Sequence, residues 1–151
     1  MKWFKQVRAD ISQLVPAIDY YEVQLAEARL ECGLRGSVEK HSRDMPGIVE
    51  YRFNQLQEIE GILEYLNIEL RKKRTEHYRK FLEHYNRALS SRDAEKYVDG
   101  VDEVVDFQHI VNEFALVRNK FIGLIKALDA KSFQINNIVK LRAAGLEDVS
   151  L

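Results

Sequence analysis

Apolar positions recur at helical spacing along most of the chain. Trp3, Val7, Ile11 and Leu14 predict a short helix within residues 1–14. Ile18, Tyr21, Leu25, Ala28 and Cys32 predict a second. Pro16 sits in its first turn, where a missing N–H costs nothing, and Gly33 and Gly36 end it. Residues 34–46, from Leu34 to Pro46, are polar and read as a linker. A long helix follows over about residues 47–90. In its first half Leu56, Ile59, Leu63, Leu66 and Leu70 step by three and four, the spacing of a stripe buried against a supercoiled helix. Ser90–Gly100 reads as a turn, with Asp99 capping the next helix and Asp102 and Glu103 in its favourable first turn. Val104, Phe107, Val111, Phe114, Phe121, Leu124 and Leu128 predict a helix over about 101–130. It either continues to about 144 or breaks near Ser132. No stretch alternates as a half-buried strand would. The fold class is therefore all-α: an elongated helical bundle with a long central helix and a heptad-like seam, expected to oligomerise. Residues 1–36 form an N-terminal helical segment and residues 37–151 the main helical domain.

Composition narrows the functions open to such a bundle. Apolar residues make up 46% of the 151, and the net charge is −1. That balance excludes blanket attraction to polyanions, so any such attraction must come from local clustering. Cys32 is the only cysteine, which fits a reducing compartment. No window approaches the roughly 18 apolar residues of a membrane span, and no signal peptide is apparent at Met1. The expectation is a cytoplasmic protein with no membrane contact.

Charge, by contrast, is strongly segregated. After Leu70 the same three–four seam continues as Lys73, His77, Lys80, His84 and Arg87, so a greasy stripe becomes a basic one. Residues 71–87 hold seven bases and two acids, a net of +5, with Tyr78, Phe81 and Tyr85 among them. Cations interleaved with rings suit single-stranded nucleic acid, because cations follow phosphates and bases stack on rings for roughly 1–3 kcal/mol each. The plainer alternative is a solvated face, with Tyr78, Leu82, Tyr85 and Leu89 turned to a core. Residues 93–106 hold six acids and one base, a net of −5. They read as a soluble turn with a good helix start, or as a dock for a basic partner or a neighbouring subunit's basic region. Residues 115–142 return to a net of +5. The last stretch, Phe133 to Arg142, is apolar on more than one side, which suits burial in the monomer or packing against another subunit.

Metal and catalytic patterns are poor. Asp102, Asp106, His109 and Glu113 share a helix face, but one Asp-x-x-His falls short of the paired Glu-x-x-His motifs of a carboxylate-bridged di-metal site. His41, His77, His84 and His109 have no zinc-like spacing with Cys32. There is no phosphate-binding Gly-x-x-x-x-Gly-Lys loop and no Gly-x-Ser-x-Gly elbow. No cofactor, metal or catalytic residue is expected, and Cys32 reads as a small core residue.

Three stretches resemble the UvsY family of phage recombination mediators. Ser42–Arg43–Asp44–Met45–Pro46, followed by Tyr51, is similar to that family's lead-in to a long helix. Arg71 to Tyr85 (RKKRTEHYRKFLEHY) is similar to its basic helix, and Ile125 to Gly145 (IKALDAKSFQINNIVKLRAAG) to its C-terminal helix. The likeness covers about residues 34–146 in the right order. Residues 1–33 have no counterpart, His84–Tyr85 stands where the family has an aromatic–Tyr pair, and Phe81 stands where a base is usual.

The resemblance implies a non-enzymatic protein that binds single-stranded DNA, forms a ring-like homo-oligomer, and helps load a RecA-like recombinase in place of single-strand binding protein. Arg71, Lys72, Lys73, Arg74, Arg79 and Lys80 would contact phosphates, and Tyr78 or Tyr85 would stack on bases. Phe121, Leu124, Leu128, Phe133, Ile135, Ile138 and Leu141 would pack the bundle and the subunit interface. The partners implied are single-stranded DNA, the recombinase and the single-strand binding protein, in the cytoplasm of an infected bacterial host. The alternative is a helical scaffold or virion protein acting by protein–protein contacts.

Overall fold

The computed structural model describes residues 1–84 and 89–145. Among them lie five α-helices, one short 3-10 turn and no strand, so the all-α expectation holds. Helix α1 is Lys2–Ala9, α2 Leu14–Glu31, α3 Val38–His84, α4 Ser91–Asp99 and α5 Asp102–Ala143. At 1.5 Å per residue α3 is about 70 Å long and α5 about 63 Å.

The two long helices lie antiparallel and form the largest interhelical contact of the fold. The predicted stripe of Leu56, Ile59, Leu63, Leu66 and Leu70 is buried in full. So is the facing row of Val104, Phe107, Val111, Phe114, Phe121, Leu124 and Leu128. The heptad seam thus finds its helical partner within the same chain. Helix α5 does not break at Ser132. No proline interrupts it, Asp102 and Glu103 favour its start, and Lys140 and Arg142 favour its end. Gly145, with φ of 74°, takes the left-handed turn that stops it.

Residues 1–31 fold back over the middle of this pair. Helix α2 runs parallel to α5, with Tyr21 edge-on to Phe114 and Phe121, and Lys120 paired to Glu22 at 2.7 Å. Leu14, Ala17, Tyr21, Leu25 and Ala28 join the same core cluster as the seams of α3 and α5. Asp10 interrupts the first predicted helix in extended backbone, its carboxylate accepting from the Ser12 amide, and Ile11 stays at the surface. Pro16 does lie in the first turn of α2.

Two stretches depart from the sequence reading. The expected linker contributes nine residues to α3, which starts at Val38 and passes through Pro46. Ser37 makes this possible, its hydroxyl accepting from the Lys40 amide at 3.3 Å. Val38 and Met45, seven apart, bury beside the end of α5 and repay the strain of an internal proline. The expected turn at Ser90–Gly100 is instead α4. Ser90 caps it, accepting from the Asp93 amide, and Ala94 and Val98 are buried on its inner side. Asp99 accordingly ends α4 instead of capping α5, whose N-cap position is Val101.

Candidate nucleic-acid interface

The second half of α3 sorts its side chains by angle around the helix. Lys73 and His77 continue the buried seam, half covered, toward the start of α5. Arg74 and Tyr78 line a cleft shared with Glu95 and Val98 of α4. Opposite the core, Ile68, Arg71, Lys72, Thr75, Glu76, Arg79, Lys80 and Glu83 form a continuous outward strip. Their spacing of three and four places all eight on one side of the helix. The strip carries four cations and two carboxylates, a net of +2 against +5 for the whole basic stretch.

The cations fall into two kinds by the origin of their partners. Arg71 pairs with Glu64 at 3.4 Å, Lys72 with Glu69 at 2.6 Å and Lys80 with Glu76 at 3.1 Å, all along α3 itself. These three basic side chains are between 57% and 70% exposed. Arg79 forms no ion pair among the described residues. Lys73 and Arg74 are held from another element. Lys73 reaches Glu103 at 2.6 Å and lies over the Phe107 ring, and Arg74 reaches Asp99 at 2.7 Å. The second oxygen of Glu103 meets His77 Nε2 at 2.8 Å. Hydrogen bonds from Lys73 first, and then His77, hold the Glu103 carboxyl down to about 2. The six predicted phosphate ligands therefore separate: Arg71, Lys72, Arg79 and Lys80 lie on the outer strip, while Lys73 and Arg74 are engaged within the chain.

The predicted ring contacts are also divided. Tyr78 is half-buried beside α4, and Phe81 stacks on Tyr97 with centroids 5.5 Å apart. Tyr85 lies outside the described residues. Of the expected interface set, Phe121, Leu124, Leu128 and Ile135 are buried within the monomer. Ile138 is half-buried, whereas Phe133, 72% exposed, and Leu141 stay at the surface. Exposed Leu116 adds to this outer side of α5, whereas Val139, also exposed, borders the start of α3 beside Val38.

Sequence reading missed three features. The first is the partner of the basic helix. The acidic block at 93–106 is opposite in sign and similar in size to the basic one, but that match did not by itself specify contact within one chain. The second is a buried polar cluster. Arg52, 3% exposed, donates to both oxygens of Glu31 at 2.7 and 2.9 Å and to the side-chain oxygens of Gln24 and Gln55 at 3.0 Å. The third is Lys131, 2% exposed, which donates to the Glu31 carbonyl at 2.5 Å and to His41 Nδ1 at 3.1 Å. His41 Nε2 in turn meets the Arg35 carbonyl at 2.7 Å, which fixes that nitrogen as the donor. Each charge sits at a core position of its helix, Arg52 seven after Met45 and Lys131 three after Leu128. A cation at a core position was the available signal.

Among the described residues no three His, Cys, Asp or Glu side chains are grouped to hold a metal ion. Asp102, Asp106, His109 and Glu113 all face solvent. Cys32 is half-buried, donates to the Ala28 carbonyl at 3.6 Å, and has its thiol pushed up by desolvation. No helix among the described residues is long and apolar enough to cross a membrane. Neither a protein-family model, nor a curated protein, nor a solved structure matches the chain.

Proposed function

We propose that this protein is a non-enzymatic recombination mediator that binds single-stranded DNA along the outer strip of α3 and helps load a RecA-like recombinase in place of single-strand binding protein. The observation that carries the reading is the company kept by Arg71, Lys72, Arg79 and Lys80. They share one solvent-facing strip, and every acid paired to them belongs to the same helix. Exposed ion pairs of that sort contribute only about 0–1 kcal/mol, so a phosphate can replace the carboxylate at little cost. Four cations offset by two acids make a modest site per chain. Self-assembly would multiply such strips along one strand, raising avidity without new contacts. Exposed Phe133, Val139 and Leu141 on α5 supply apolar surface for that assembly. The motif order shared with the mediator family supports the same role.

The test is anisotropy of a labelled single-stranded oligonucleotide across a salt series. Arg79→Glu with Lys80→Glu should weaken binding tenfold or more, roughly 1.4 kcal/mol, with assembly mass unchanged. Equal binding by the double variant in moderate salt would refute the proposal.

A second reading, a helical assembly protein acting through protein contacts, is favoured by one observation. Lys73 and Arg74, a third of the expected phosphate ligands, are already paired across elements while Leu116 and Phe133 stand exposed on α5. It predicts a flat oligonucleotide titration together with a concentration-dependent mass.

A further inference from the structure

Asp99 closes α4 and Glu103 opens α5, on either side of the Gly100–Val101 link. Both reach back to α3. Asp99 takes Arg74 at 2.7 Å, and Glu103 bridges Lys73 at 2.6 Å and His77 at 2.8 Å, one helical turn apart. These two carboxylates therefore hold three donors within about one turn on the inner edge of the cationic helix. A run of anionic oxygens offered to successive donors is also what a phosphodiester strand provides. The pairs are partly solvated: the basic side chains are 17–38% exposed and the acids 53–61%. Exchange needs no unfolding. Val104 and Phe107 anchor α5 in the core, so Glu103 can leave by side-chain rotation alone. Helix α4 is held by Ala94, Val98 and the Phe81–Tyr97 stack, and Asp99 sits at its last residue.

We infer that the α4–α5 corner is an intramolecular competitor for polyanions: Asp99 and Glu103 occupy Lys73, Arg74 and His77, and a nucleic-acid strand extends its contact from the outer strip to this inner edge by displacing them. The inference rests on the DNA-binding reading above. It adds a second row of contacts and makes the resting affinity of the protein lower than its cation count would give. It also makes the protein discriminate by phosphate density, because isolated anions cannot replace both carboxylates together.

The experiment uses the full chain and a labelled oligothymidylate. Asp99→Asn with Glu103→Gln removes the competitor. Glu22→Gln with Glu27→Gln on α2 changes net charge equally at a remote site. The competitor variant should bind about tenfold more tightly than the unmodified chain, ~1.4 kcal/mol. Its salt dependence should steepen by about 0.7 in log–log slope for each cation freed. The α2 variant should gain about twofold or less, as expected for screened surface charge. Glu103→Gln alone leaves Asp99 in place and should give an intermediate gain, which guards against loss of α4 docking in the double variant. Far-UV circular dichroism checks the helices. Equal gains in the corner and α2 variants, or no gain at the corner, would overturn the competitor. If the unmodified chain binds and Arg79→Glu with Lys80→Glu weakens it, that result overturns the competitor alone. If no variant binds, the DNA-binding reading falls with it.

Discussion

Cations occupy core positions in two regions of this molecule, and burial gives them different consequences. At the three-helix waist, Arg52 and Lys131 are almost fully enclosed and their donors meet fixed partners on α2 and α3. At the α4 end, Lys73 and His77 follow the same seam but remain partly in water, facing a carboxylate that is itself half-exposed. The waist pairs cannot open without stranding charge in a low-dielectric interior. The pairs at the α4 end can exchange one anion for another. A charge in the seam is thus enclosed at one place and open to water at the other, and the depth of burial separates the two.

The sharpest way to break this comparison is at Arg52. Arg52→Met should cost about 3 kcal/mol, the lower end for breaking a buried pair, because Glu31 keeps some access to water. Adding Glu31→Gln should recover part of the loss. Urea unfolding followed by circular dichroism reads both. An Arg52→Met chain within 1 kcal/mol of the parent would mean that the waist is no more committed than the α4 end.

Lys131→Met should have a smaller effect, about 1–3 kcal/mol, since it leaves the Glu31 carbonyl and His41 Nδ1 without their donor but strands no charge. The same denaturation series checks it, and a neutral result would remove Lys131 from the structural class.

Acidification should act on the α4 end with the smallest effect. Glu103 is held down to about 2 from an ordinary 4.5, so its contribution is complete above the ordinary value and is lost as pH falls toward 2. Amide protection in the first turns of α5 should decline across that window before protection in α2 does. Simultaneous loss in the start of α5 and in α2 would show that the two regions do not separate.

Much of this architecture was legible as periodic apolar residues. The stripe from Leu56 to Leu70 and the row from Val104 to Leu128 each supply an inward residue every turn, so their helices were plain. The start of α3 was not, because Val38 and Met45 are its only buried apolar residues over nine positions and Pro46 ordinarily marks a boundary. Helix α4 escaped for a similar reason, having Ala94 and Val98 as its only buried side chains. The basic helix and the acidic block were each visible as composition. Their mutual pairing was not, since ion pairing across elements leaves no period along the chain. Arg52 and Lys131 were hidden because a search for apolar spacing passes over charges at the same positions.

The route taken by α1 has a practical consequence. The Phe4 amide donates to Glu58 at 3.1 Å, and the Phe4 ring lies 3.5 Å from where a side chain on Gly61 would begin, at the midpoint of α3. Whatever is fused ahead of Met1 therefore leaves the rod sideways at its centre. A fluorophore or affinity handle placed there keeps both tips clear, and its distance to a label at either tip would report bending of the rod.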